Sequence, residues 1–191
     1  MEQIRTFIAI SLTPELSSEL GKMIIDLKSL TRGVRWLKPD SIHLTLKFLG
    51  NLSADQLDKV FIGMDIAQAK FPGVFSVLVE GTGCFPSWKR PRVMWVGVKG
   101  KELERLLSLQ NLIDLSLNEQ GFSAEDRKFS PHLTVARIKY VEQLERLMER
   151  FSSYPFPALT LPVREILVMR SDLKPDGAVY SVQKTYKLKG I

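Results

Sequence analysis

Cysteine and histidine are nearly missing from this chain of 191 residues: it has one cysteine, Cys84, and two histidines. A single thiol cannot close an internal disulfide, which points to a reducing compartment. One cysteine and two histidines also fall short of the four ligands that a Cys/His structural zinc site needs. No apolar run approaches the roughly 18–20 residues that a membrane helix requires. The opening stretch MEQIRTFIAIS lacks the layout of a secretory signal. A cytoplasmic location, away from membranes, is therefore expected. Linkers and low-complexity segments are missing too, so residues 1–191 read as one domain.

Acidic residues are outnumbered, 21 against 27 Lys and Arg, which leaves a net charge of +6. That excess favours polyanionic partners such as nucleic acid, although charge alone does not specify one. With 45% hydrophobic and 25% charged residues, the composition is that of a folded globular protein and excludes extensive disorder.

Strands and helices are intermixed along the chain. Arg5–Leu12 reads as a strand. Thr13 and Pro14 form a helix start, and Leu16, Leu20, Met23, Ile24, Leu27 and Leu30 follow at helical spacing. VRWLKPD is a short extended piece stopped by Pro39, and His43–Leu49 a strand closed by Gly50. Ser53–Gln56 is a capping box opening a helix with Leu57, Val60, Phe61 and Met64 on one face. Phe75–Val79 and Val93–Val98 read as strands around a loop GTGCFPSWKRPR. A third helix spans Lys101–Gln120 and a fourth Glu142–Phe151, with the strand His132–Ile138 between them. EILVMRS and AVYSVQKTYKL are the last strands. Several strands in direct succession predict an α+β fold with mostly antiparallel sheets.

Both histidines stand in the tripeptide His-Leu-Thr, in SIHLTLKFLG and SPHLTVARI. In a strand, residues i and i+2 share a face. His43 and Thr45 therefore point one way and Leu44 and Leu46 the other; His132 and Thr134 likewise oppose Leu133 and Val135. One such motif is a weak signal, and a lone histidine in an apolar run is usually a packed or surface residue. Two copies that exhaust the histidine content suggest one cleft built from two halves, and hence a duplication. Paired imidazoles suit phosphoryl chemistry: a neutral ring takes a proton from attacking water while a protonated one supplies the leaving oxygen. Threonine hydroxyls can hold the non-bridging oxygens. Simple alternation puts Lys47 on the His43 face, as a local cation. It puts Arg137 on the face opposite His132, unless the strand ends or bulges first.

The sequence resembles the RNA 2′,3′-cyclic phosphodiesterases, also called 2′-5′ RNA ligases, of the two-histidine (2H) phosphoesterase superfamily. The likeness runs through RTFIAISL, VRWLKPDSIHLTLKFLGNLS, GCFPSWKRPRVMWVGV, RKFSPHLTVARI and EILVMRSDLKPDGAVYSV. It implies a bilobal fold with two pseudo-symmetric lobes of mostly antiparallel sheet, outer helices and a central cleft. It implies His43 and His132 as the acid/base pair, and Thr45 and Thr134 as phosphate contacts; the sequence leaves open which histidine is which, and His43 is taken as the acid that protonates the 3′ oxygen, with His132 as the base. Arg137 also belongs to the site by this resemblance, against simple alternation. The implied reaction opens a 2′,3′-cyclic phosphate at an RNA end, or in a cyclic nucleotide, to a 2′-phosphomonoester without metal or other cofactor. A monomer is the expected state.

Other readings of the same residues are end joining through a 2′-5′ linkage and a non-catalytic RNA-binding module. A metallohydrolase is disfavoured, because two histidines without nearby carboxylates make a poor metal site. Trp36, Phe48 and Phe129 are candidate base-stacking residues or core aromatics. Trp88 within PSWKRPR, and Arg127 with Lys128, are candidate RNA-backbone contacts or solvated turns.

Overall fold

The computed structural model describes residues 3–125, 127–139, 144–174 and 177–190. Strand β1 (Ile4–Ser11) leads into helix α1 (Pro14–Lys28), β2 (Val34–Trp36) and β3 (His43–Leu52). Helix α2 (Ala54–Lys70), β4 (Phe75–Phe85), β5 (Val93–Lys99) and α3 (Leu103–Asn118) follow. The chain continues through β6 (His132–Ile138), α4 (Glu145–Ser152), β7 (Leu159–Val163), β8 (Glu165–Lys174) and β9 (Gly177–Lys187). Every strand pairing is antiparallel, in one sheet ordered β3-β1-β8-β9 and another ordered β2-β6-β5-β4-β7. The expected α+β, two-lobed architecture is what forms.

Local chemistry sets the starts of α1 and α2. The Thr13 hydroxyl accepts from the Leu16 amide at 3.2 Å, and Pro14 occupies the first turn, where a missing N–H costs nothing. At α2 the Ser53 and Gln56 side chains cap each other's backbone amides, as the capping box predicts. The inward faces of α1 and α2, including Leu16, Leu20, Met23, Val60 and Met64, are fully buried in a continuous core.

The lobes are interleaved rather than consecutive. β4 leaves the N-terminal half to pair with β5, and β8 leaves the C-terminal half to pair with β1. α1 packs by β2 and α4, whereas α3 packs by α2 and β3. Each half thus lends two strands and a helix to the other lobe: β2, β4 and α1 in one direction, β8, β9 and α3 in the other. The two sheets approach each other along β3 and β6, the strands that carry the two histidines.

Some boundaries differ from the sequence expectation. GTGCF is strand rather than loop, because β4 runs on to Phe85 with a register shift and Gly81 at φ 70°. β7 has no counterpart among the predicted strands. The fourth helix begins at Glu145; its expected first residues, Glu142 and Gln143, lie outside the described residues. No helix among the described residues is long and apolar enough to cross a membrane.

Candidate active site

Two strands with the same local fault bring the site together. In β3, Ala9 faces Thr45 but Ile8 faces Lys47, so Leu46 is an extra residue in the ladder. In β6, Trp95 faces Thr134 but Met94 faces Ala136, so Val135 is extra in the same way. Burial along the first six residues of both strands follows one pattern: half-buried, buried, half-buried, buried, buried, exposed. The bulge puts two successive residues on the core side and delays the alternation by one. The carbonyl of bulged Val135 is not orphaned; it accepts from the Leu37 amide at 2.9 Å.

The delay has opposite consequences for the two expected cations. Lys47 is turned into the core, 4% exposed, where its ammonium pairs with Asp114 and donates to the Ser123 carbonyl at 2.9 Å. The expectation that Lys47 lines the cleft is therefore corrected. Phe48, 60% exposed, takes that place beside Phe7, at 6.0 Å between ring centroids. In the second copy the same shift carries Arg137 onto the face of His132 and Thr134, exposed to solvent. Alternation alone had put it on the wrong side.

Each imidazole is held by the same device. His43 Nδ1 lies 2.9 Å from the Ser41 carbonyl, and His132 Nδ1 lies 2.7 Å from the Ser130 carbonyl. A carbonyl only accepts, so each Nδ1 carries the proton and each Nε2 is left for chemistry. The signal was present in sequence as Ser-x-His-Leu-Thr in both copies. The backbone oxygen two residues upstream, however, becomes an orienting group only once the local fold is known.

Aromatic walls surround both rings. Phe7 stacks on His43 at 4.6 Å and Tyr180 meets it edge-on at 5.1 Å. Phe85 meets His132 edge-on at 4.9 Å, and Trp95 lies 6.2 Å away. The Trp95 indole rests flat on the sheet over Gly83, where a Cβ would come within 2.2 Å of it, so only glycine fits. Sequence reading missed Phe7, Phe85, Trp95 and Tyr180, since they reach the histidines only through strand pairing.

This enclosure sets the charge state. Burial pushes the His43 imidazole down to about 4, the Ser41 hydrogen bond acting in the opposite direction. Burial also lowers His132; the Ser130 hydrogen bond opposes this, and the positive charge of Arg137 adds to the lowering. Both rings are therefore neutral in the free protein near pH 7. Among the described residues no three His, Cys, Asp or Glu side chains converge as metal ligands.

The remaining candidates separate by environment. Trp36 and Phe129 pack against the core. Trp88 is 42% exposed and tilts toward Phe151 at 6.0 Å. Arg127 and Lys128 are exposed in the approach to β6.

The family described as LigT-like phosphoesterase matches the chain twice, over residues 10–95 and 96–180, one histidine motif in each copy. A Thermotoga maritima protein named RNA 2′,3′-cyclic phosphodiesterase is 32% identical over 98% of this chain and 97% of its own length. The crystal structure of TT0787 from Thermus thermophilus superposes with a TM-score of 0.76 at 27% identity, covering 97% of this chain and 98% of that one. The fold also matches Escherichia coli LigT solved with 3′-AMP, at TM-score 0.75, 22% identity and coverage of 99% and 100%.

Proposed function

The chain belongs to the LigT-like phosphoesterase family, and we propose that it hydrolyses 2′,3′-cyclic phosphates at RNA ends, or in cyclic nucleotides, to 2′-phosphomonoesters. The carrying observation is the pair of bulged strands that present His43 with Thr45 and His132 with Thr134, both Nδ1 atoms tied to backbone carbonyls. Relatives that share nearly the whole chain are named for this activity.

In this reading water attacks phosphorus while His132 Nε2 takes its proton. The bond from phosphorus to O3′ breaks, and protonated His43 Nε2 gives its proton to that oxygen. The products are a 2′-phosphomonoester and a free 3′-hydroxyl. Thr45, Thr134 and Arg137 hold the non-bridging oxygens, whose charge grows in the transition state. Arg137 shares a face with His132 and lowers its proton affinity, which suits a base. On β3 no cation shares the His43 face, because Lys47 is turned into the core, so the negative charge of bound phosphate raises the proton affinity of His43. Neither a metal nor another cofactor takes part, and the protein acts as a cytoplasmic monomer.

The test is incubation, with chelator present, of a short RNA ending in 2′,3′-cyclic phosphate, the product being assigned by phosphorus NMR. A 2′-phosphate is expected, and its loss in both His43→Ala and His132→Ala. Tight RNA binding without turnover by the unmodified protein would instead favour a binding module.

A further inference from the structure

Arg35 and Arg137 stand directly opposite one another, on β2 and β6, and both are exposed. Residues facing each other across an antiparallel pair share a face of the sheet. Arg35 is therefore on the cleft face with His132, Thr134 and Arg137. Like charges in this position repel. Among the described residues no carboxylate forms an ion pair with either guanidinium. Two other basic side chains are engaged elsewhere: Lys47 is buried on Asp114, and Arg92 donates to the Lys139 carbonyl. Arg35 also reaches outward, its Nη2 lying 3.8 Å from where a Cβ on Gly177 would sit. Gly177 begins β9, the strand of the other sheet whose Tyr180 meets His43.

Two unpaired guanidiniums on adjacent strands form an anion cradle, because each presents a planar fork of donors that matches phosphate oxygens. Arg35 is the member of the pair displaced from the imidazoles. Arg137 lies beyond Thr134 on the side away from His132, and Arg35 lies one strand further out, about 4.8 Å away. The cyclic phosphate has to sit between the two Nε2 atoms. A charge held by Arg35 therefore belongs to another group of the same ligand.

We propose that Arg35, standing outside Arg137 on the neighbouring strand, binds the phosphodiester adjacent to the terminal cyclic phosphate while Arg137 stays on the cyclic phosphate itself, so that this site distinguishes an RNA end from a free cyclic nucleotide. The inference rests on the phosphodiesterase reading above. Arg35 is a binding residue for the RNA backbone and takes no part in proton transfer.

The experiment compares unmodified protein, Arg35→Gln and Arg35→Lys on a trinucleotide ending in 2′,3′-cyclic phosphate and on a nucleoside 2′,3′-cyclic phosphate. In Arg35→Gln the ratio of kcat/KM for trinucleotide over mononucleotide should fall about tenfold, mainly through KM, as expected for one lost charged contact. The dependence of log KM on log salt for the trinucleotide should flatten by roughly 0.7, the single-strand value for one phosphate contact. Arg35→Lys should recover part of the ratio. Equal losses on the two substrates, or an unchanged ratio and salt slope, would overturn the proposal. Binding of a trinucleotide carrying a 2′-phosphate, followed by fluorescence anisotropy, separates the two levels. Weaker binding by Arg35→Gln without turnover by any protein would keep the subsite and refute the phosphodiesterase.

Discussion

Phe48 and Arg137 occupy the same place in two copies of one bulged strand. Each stands five residues beyond its histidine, and each reaches the cleft face because one extra residue, Leu46 or Val135, resets the alternation. The pseudo-symmetry of the backbone is thus filled asymmetrically, with an apolar ring on one side and a cation on the other.

The two side chains should fail differently when removed. Phe48→Ala should raise KM roughly 5- to 160-fold with little change in kcat, since stacking on a base is worth about 1–3 kcal/mol. Arg137→Ala should lower kcat by roughly 10²–10³, the cost of losing a donor to a developing charge. Steady-state kinetics on an RNA cyclic phosphate checks both. A pure kcat effect for Phe48, or a pure KM effect for Arg137, would contradict these assignments.

The threonines contact phosphate and nothing else in this scheme. Thr45→Val and Thr134→Val keep the shape of the side chain and remove the hydroxyl. Each should cost roughly ten- to a hundredfold in kcat/KM, the range for a hydrogen bond to a charged group. If both variants keep full activity, the cyclic phosphate does not sit between the two strands.

Lys47 should matter for stability and not for RNA contact. Its ammonium and Asp114 are largely removed from solvent. Lys47→Met leaves Asp114 without its partner and should destabilise the fold by about 3–5 kcal/mol. Lys47→Met combined with Asp114→Leu should restore much of that loss, because both charges are then absent. Urea denaturation of the single and double variants measures the difference. A Lys47→Met protein of normal stability with weakened RNA binding would return Lys47 to the cleft.

Burial of the histidines has a signature in pH. With His43 near 4 and His132 below its usual value, the singly protonated free protein is most populated on the acid side of neutrality. The profile of kcat/KM should be bell-shaped with its maximum below pH 6.5, and kcat should peak at higher pH because bound phosphate raises proton affinity. Stability moves in the corresponding direction. Depressed values mean that the folded state binds fewer protons than the unfolded one. The contribution of His43 is therefore present above about pH 6.5 and is lost as pH falls toward 4. A kcat/KM maximum above pH 7.5 would show that the free protein does not hold its imidazoles neutral.

The sequence by itself determined the starts of α1 and α2, the antiparallel α+β class and the two His-Leu-Thr faces. These rest on local rules: a capping hydroxyl, a proline at the first turn, and side chains that alternate with period two. Local rules also led to the one error among the site residues. Lys47 and Arg137 are separated from their histidines by four and five residues, and strict alternation misplaces both. Only pairing with β1 and β5 introduces the bulges, because an extra residue is defined by the partner strand it fails to match. The aromatic walls and the Arg35–Arg137 pair are decided at the same level. Phe7, Tyr180, Phe85 and Trp95 lie far along the chain from the histidines they enclose. The ladders of two interleaved sheets bring them there.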